Sequence, residues 1–366
     1  MPNPRRSNRR QFLKGQAAAQ ALGDLVAPAD AEVDQPTTAA AAETYLLQFG
    51  RRAMACQFEV YLNAGQYPQA ADIALEALDF VDRLEEQMTV YRDTSEISRL
   101  NRLAGDVPVE VEPRLFQLLL RAAQIYRETD GAFDITSGSL TKVWGFYRRA
   151  GTIPEADALA EALRRVGSDS IEFDEGNRTF RFLKPGMEVN LGAIGKGYAL
   201  DRVAEQMLSG GIDHFLWHGG QSSLLARGTC GRQTGDRGGW TVDVRHPLRP
   251  ERSVVEICLR DRAVGTSGAG TQFFRHAGRR YGHILDPRTG WPAEGVYSAT
   301  VIASTAADAD ALATALYVLG AERAAAWCGK HPEIGLLMFV AGQSGRSVDL
   351  VTCGLSPGDW RQVSEL

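Results

Sequence analysis

The sequence predicts an α+β protein. Amphipathic helices and short strands follow one another without the regular strand–helix alternation of a parallel sheet. One antiparallel hairpin is written locally, in Ile171-Glu172-Phe173 and Thr179-Phe180-Arg181-Phe182 around a turn at Gly176-Asn177. No segment repeats along the chain.

The N-terminus stands apart from this pattern. Arg9-Arg10-Gln11-Phe12-Leu13-Lys14 matches the twin-arginine export motif, and Ala27-Pro28-Ala29 and Ala29-Asp30-Ala31 are small-residue cleavage sites. We therefore expect a twin-arginine signal peptide over 1–31, an Ala/Thr linker over 32–43, a single domain over 44–366, and export to the periplasm. Hydrophobic residues make up 44% of the chain and charged residues 23%, enough apolar material for a core. A net charge of −5 speaks against nucleic acid as a partner. No run reaches the roughly 18 apolar residues of a transmembrane helix. Cys56, Cys230, Cys258, Cys328 and Cys353 are dispersed without a C-x-x-C pair, which argues against a disulfide framework and a cysteine zinc site.

In chain order, Cys56–Leu62 alternates as a strand. Pro68–Met88 is an amphipathic helix with Ile73, Leu75, Leu78, Val81, Leu84 and Met88 on one side. Ser95-Glu96 starts another helix. Pro113–Thr129 is a third, closed by Gly131 as a left-handed cap and followed by the turn-rich Ala132-Phe133-Asp134-Ile135-Thr136. Pro154–Val166 is helical. Val189–Gly197 reads as a strand, a Gly-rich loop with Lys196, and a helix start from Tyr198, an arrangement suited to an anion. It lacks the P-loop and dinucleotide spacings. Strands follow at Phe215–His218, and at Trp240–Val244 and Val254–Leu259 around a Pro-rich loop. Ala263–Gly270 reads as a glycine-rich turn bearing the hydroxyls of Thr266 and Ser267. Ser298–Ala303 is β-like, Ala321–Cys328 a helix and Ile334–Val340 a strand.

The chemistry concentrates in Tyr281–Gly320. A turn holds His283 and Asp286, and a later helix carries Asp308 and Asp310 in an otherwise apolar run. Asp310 and Thr314, four apart, project from one helix face. Two such oxygens can begin a hard-cation site. Equally, Asp308 or Asp310 can serve as an N-cap or first-turn charge.

Several stretches in order make a more specific signal. They are Met54 behind Arg51-Arg52-Ala53, Leu84–Met88 with Tyr91, Ser95–Asn101, and Thr129–Thr136. Then come Leu191–Ile194 with Lys196–Ala199, Gly219-Gly220, Thr266-Ser267-Gly268, His283–Gly290 and Ala309–Ala315. Together, over about residues 45–342, the chain resembles the FAD:protein FMN transferase (ApbE-like) family. The resemblance implies a T-fold-like, two-layer α+β architecture with mixed or antiparallel sheets and packed helices. It implies FAD as flavin donor, Mg²⁺ as cofactor, and transfer of FMN to a Ser or Thr hydroxyl. The acceptor would be a flavoprotein subunit of a membrane-bound or periplasmic redox complex. The implied flavin-binding residues are Met54, Tyr91, Ala132, Phe133, Asp134, Lys196 and Ile284. The implied metal ligands are Asp310, Thr314 and a backbone oxygen at Ala193. His283 is the implied acid/base group, with Lys196 beside the phosphates.

These roles suit the residue types. Tyr91 can stack on a flat ring, Asp134 can bond a ring nitrogen or ribose hydroxyl, and a histidine can take a hydroxyl proton near neutral pH. The chain departs from the family pattern at Asn190, usually Asp; at Gly195, usually Ala; at Ala269, usually Asp; and at Ala55-Cys56, usually Gly-Thr. The missing acids keep an alternative in view: a catalytically impaired FAD-binding protein, or an FAD pyrophosphatase releasing FMN and AMP.

Overall fold

The computed structural model describes residues 45–148, 150–231, 238–268, 270, 272–342 and 347–366. The twin-arginine run, the cleavage sites, the linker and Ala269 lie outside them. The chain opens with β1 (Leu46–Ala53) and β2 (Cys56–Asn63), paired antiparallel across a two-residue turn. The sequence reading placed one strand here. Met54 and Ala55 both take positive φ, 48° and 60°, the type I′ hairpin geometry that Asn-Gly signals and Met-Ala does not.

Helices α1 (Ala70–Met88) and α2 (Glu96–Leu103) follow, then β3 (Val109–Glu110), α3 (Pro113–Glu128), α4 (Gly138–Val143) and α5 (Ala156–Arg164). The expected hairpin is β4 (Ile171–Asp174) with β5 (Thr179–Phe182). Val189–Leu191 is not a strand. The Asn101 amide takes both backbone groups of Val189, at 2.7 and 2.9 Å, so none is left for a ladder. The next helix, α6 (Gly195–Ser209), begins three residues before Tyr198.

Beyond it lie β6 (Phe215–Gly219), β7 (Ser223–Arg227), β8 (Trp240–His246) and β9 (Arg249–Leu259). The Pro-rich segment between the last two is no long loop: Arg249 and Pro250 already belong to β9, leaving only Pro247-Leu248 as the link. The stretch read as a glycine-rich turn is strand β10 (Ala263–Gly268). After it come β11 (Phe273–His276), β12 (Arg279–Gly282), β13 (Val296–Ala303), α7 (Ala306–Leu319), α8 (Ala321–Cys328), β14 (Gly335–Ala341), β15 (Val348–Cys353) and β16 (Trp360–Gln362).

The main sheet has eight antiparallel strands in the order β1-β2-β6-β7-β10-β13-β14-β15. Side chains alternate between its faces. Leu225, Ala263, Val301, Leu336 and Met338 face a core shared with the helices. Ala226, Val264, Ile302, Leu337 and Phe339 face the small sheet β16-β9-β8. The α+β class is thus realised as helices on one face of an antiparallel sheet, with a second sheet on the other.

Helix α7 lies at the centre, apolar on nearly every side, as a fully buried helix must be. Two glycines let its neighbours approach. A Cβ on Gly265 of β10 would fall 2.3 Å from the Ala309 carbonyl oxygen, and one on Gly197 of α6 would fall 2.0 Å from that of Ala306. Gly195 is different, since its Cβ would meet Leu191 and Met88 at ordinary contact distance. Gly195→Ala should therefore raise stability by about 0.5 kcal/mol through the unfolded-state entropy of glycine, whereas Gly197→Ala should cost about 3 kcal/mol or prevent folding. Urea midpoints of the two variants test the contrast.

Candidate active site

Helices α6 and α7 hold each other by their N-termini. Asp201 of α6 accepts the Ala306 and Ala307 N–H groups of α7, each at 2.8 Å. Asp310 of α7 accepts the Gly197 N–H of α6 at 2.7 Å. The bland reading of the α7 aspartates as caps fails for Asp310, because Thr305 is the N-cap, receiving Asp308 N–H at 3.2 Å. Asp308 pairs instead with Arg121 at 2.7 Å.

Asp310 is buried, and its second oxygen accepts the Ser223 hydroxyl at 2.6 Å. Its nearest cation is Lys196, Nζ at 3.7 Å. Burial pushes the Asp310 carboxyl above its usual range, and Lys196 pulls the other way. The Asp201 carboxyl is pushed up to about 7, also by burial, against its two N–H donors. Thr314 Oγ1 shares a hydrogen with Ser267 Oγ at 2.8 Å.

These residues face a cleft of about 440 Å³. Tyr91, Phe133, Asp134, Ala193, Lys196, His283, Ile284, Asp310 and Thr314 all line it. Met54 lines a more apolar cleft of about 310 Å³ with Met88 and Val90. Tyr91, Asn190, Gly192 and Lys196 border both clefts, so Lys196 stands where they meet. The strained turn presents Met54 there, and Glu85 fixes it by accepting the Met54 N–H at 2.7 Å.

One expected flavin contact is corrected. Ala132 is buried at 1% exposure and borders neither cleft, because the turn at Gly131 (φ 74°) sends its methyl group into the main core. Asp134 reaches the cleft wall, but its carboxylate is turned into the protein. It accepts Thr136 N–H and Oγ1–H and Ser168 N–H and Oγ–H at 2.6–3.2 Å. It anchors the wall through three donors on one oxygen, while the other takes a single N–H at 3.2 Å and keeps a lone pair. Ile284 lines the cleft with its carbonyl engaged by Ala293 N–H at 2.9 Å.

Sequence reasoning missed Tyr147, which meets Tyr91 at 4.8 Å, and Gln272, whose carbonyl oxygen lies 3.0 Å from His283 Nδ1. A carbonyl only accepts, so Nδ1 carries the proton and Nε2 holds the lone pair. Ser223 was also missed. Its one signal was position, just after the Gly219-Gly220 turn. Asn190 accepts the Gly192 N–H at 2.8 Å, a turn an aspartate would make equally well.

The cation site can be judged by its donors. One carboxylate, the Thr314 hydroxyl and the neighbouring Ser267 and Thr266 hydroxyls supply only hard oxygens. That donor set fits Mg²⁺, which keeps waters and uses one or two carboxylates with substrate phosphates. Among the described residues no cluster of three or more His, Cys, Asp or Glu offers a softer site.

Fold and site together define an α+β protein with two adjoining clefts and a lysine–aspartate pair at the waist between them. A family model described as the ApbE family matches residues 54–338. The FAD:protein FMN transferase of Treponema pallidum (strain Nichols) is 34% identical, over 72% of this chain and 76% of its own. That of Vibrio cholerae (strain ATCC 39541 / Classical Ogawa 395 / O395) is 32% identical over 76% and 84%. The apo crystal structure of the Pseudomonas stutzeri flavinyl transferase ApbE superposes with a TM-score of 0.74 at 25% identity, covering 85% of this chain and 95% of that one. The Thermotoga maritima ApbE protein also gives 0.74, at 29% identity and 83% and 96% coverage. The chain belongs to the ApbE family.

His283 is largely buried, which holds its imidazolium form below the usual pKa of 6.5; the Gln272 bond opposes this and Lys196 adds to it. The sign follows. Above pH 6.5 the ring is neutral in folded and unfolded chains alike. As pH falls through 6.5 the unfolded chain protonates first, so the folded state loses stability until its own lower pKa is passed. NMR titration of the FAD-free protein should place His283 below 6.5, and His283→Gln should remove that part of the acid-side stability loss.

Proposed function

We propose that this protein is a Mg²⁺-dependent FAD:protein FMN transferase acting on a Ser or Thr hydroxyl of an acceptor flavoprotein. The observation that carries this is the waist: Lys196 stands between two ring-sized clefts, with Asp310 3.7 Å away and His283 on the same cleft wall. A dinucleotide has that shape, with a ring system at each end and a pyrophosphate between.

Asp310 and Thr314, with the Ala193 carbonyl, are the residues that would hold the metal. When bound, Mg²⁺ supplies positive charge to the phosphate oxygens. The Lys196 ammonium adds a second positive charge from the α6 N-terminus. His283 Nε2 is neutral and takes the proton of the acceptor hydroxyl. The acceptor oxygen then bonds to the flavin-side phosphorus, the bond from that phosphorus to the bridging oxygen breaks, and AMP leaves. Tyr91 and Tyr147 at the cleft mouth offer faces on which a ring can stack. Such transfer depends on positioning and charge stabilisation more than on covalent help from the protein. Since Asn190 keeps the turn at Gly192, its replacement of an aspartate changes charge and leaves the loop intact. That supports transfer over the impaired alternative.

Incubation with FAD, Mg²⁺ and a candidate acceptor flavoprotein should add the mass of one FMN to a Ser or Thr. Asp310→Ala should slow this by about a hundredfold or more, the loss of roughly 3 kcal/mol of charge stabilisation. Free FMN and AMP without an adduct would favour the pyrophosphatase reading, and intact bound FAD the binding-protein reading.

We also propose export by the twin-arginine route to the periplasm, supported by Arg9-Arg10-Gln11-Phe12-Leu13-Lys14. Replacing both arginines with lysine should leave the protein in the cytoplasmic fraction on cell fractionation. Continued export of that variant would sink the idea.

A further inference from the structure

Strands β11 and β12 form a hairpin rooted in the cleft, for Gln272 precedes it, His283 follows it, and both line the wall. Between Arg262 and Leu285 there is no acidic residue, in a chain of net charge −5. The hairpin itself carries Arg275, His276, Arg279 and Arg280. Its register sets Phe274 opposite Tyr281 and Arg275 opposite Arg280. Opposed residues share a face of the ribbon. Phe274 and Tyr281 stack at 5.2 Å and pack on Trp144, so their face is turned to the protein body. Phe273, Arg275 and Arg280 take the other face, all three exposed. The Arg280 guanidinium lies 3.9 Å from the Phe273 ring centre. On the inner face Arg279 is balanced by Glu294 at 2.6 Å.

Two arginines directly opposite one another destabilise a ribbon. Arginine beside an exposed aromatic is also the composition that dominates binding energy at protein interfaces. The place matters as well, since a macromolecular acceptor must lie on the cleft rim to bring its hydroxyl to the His283 ring. We propose that the outward face of this hairpin is the docking surface for the acceptor protein, and that it recognises acidic residues flanking the modified Ser or Thr. The inference rests on the transferase reading for the identity of its partner. Charge complementarity of this kind steers encounter and fixes register.

The test uses the full chain with FAD and two fluorescein-labelled peptides of equal length. Both have a central Thr, flanked by Asp and Glu in one and by Lys and Arg in the other. Fluorescence anisotropy should show the acidic peptide binding about tenfold tighter or more at low salt, with the preference fading toward about 0.5 M NaCl. The double variant Arg275→Glu/Arg280→Glu should lose that preference while its FAD affinity, read by flavin fluorescence, stays within about twofold. Equal binding of the two peptides, or an unchanged preference in the variant, overturns the proposal. A parallel loss of FAD affinity assigns the arginines to the nucleotide and also overturns it. So does arginine-dependent retention on phosphatidylglycerol vesicles without peptide discrimination. FMN transfer, measured in the same samples, reports separately: peptide binding without transfer counts against the transferase reading and leaves the docking face standing.

Discussion

The reciprocal capping of α6 and α7 is the constraint on which the site depends. Each helix lends an aspartate, Asp310 buried and Asp201 half-buried, to the N-terminal N–H groups of the other. A helix N-terminus carries about half a positive charge, so each carboxylate has one reason to remain ionised away from water. The arrangement demands close approach, and Gly197 permits it against Ala306. The same contact delivers Lys196 to the cleft waist and turns Asp310 toward Ser223. Asp310 is therefore a helix cap in a tertiary sense while standing at the cleft wall. The sequence posed capping and cation binding as alternatives for this residue, yet its bond to the Gly197 N–H leaves it at the cleft wall all the same.

Much of this was legible and some was not, for physical reasons. The amphipathic helices announced themselves by periodicity, and the spacing of Asp310 and Thr314 by itself puts both oxygens on one face. The hairpin at Met54-Ala55 was hidden because its turn uses residues that disfavour positive φ. Each costs about 1–2 kcal/mol there, and strain of this kind persists where surrounding contacts enforce it. Here the enforcing contact is Glu85, which the sequence does not connect to Met54. Strand β10 was misread because Gly265 and Gly268 suggested a turn, when Gly265 is needed for clearance beneath α7. Tertiary approach of this kind leaves no local signature. The inward turn of the Asp134 carboxylate was hidden likewise, since Ser168 lies far along the chain from it.

The departures from the family pattern sort by what each does to its surroundings. Asn190 preserves a backbone turn and removes a charge. Gly195 sits in the first turn of α6 with room for a methyl group, so its cost is conformational entropy. Ala55 occupies a left-handed position that glycine would take without strain. None of the three closes the clefts or displaces Lys196, Asp310 or His283.

Charge at the waist then makes the argument for a cation. The charged side chains lining the larger cleft, among the described residues, are Lys196, Asp310 and Asp134, with His283 held toward its neutral form by burial. One cation facing two carboxylates is a poor host for a pyrophosphate, which brings at least two further negative charges. Asp134 resolves its part internally, through four donors from Thr136 and Ser168. Asp310 has only two uncharged donors and a lysine at 3.7 Å, longer than a direct hydrogen-bonded pair. Burial pushes its carboxyl toward protonation, yet a protonated Asp310 would hold the α6 N-terminus without its charge. A divalent cation beside it would keep the carboxylate charged, preserve the helix cap, and turn the surrounding potential from repelling phosphate to attracting it. With Asn190 in place of an acid, this waist has one less negative charge to overcome. With a metal and a pyrophosphate both bound, the substitution would weaken the pull on the one while easing the entry of the other, two effects of opposite sign.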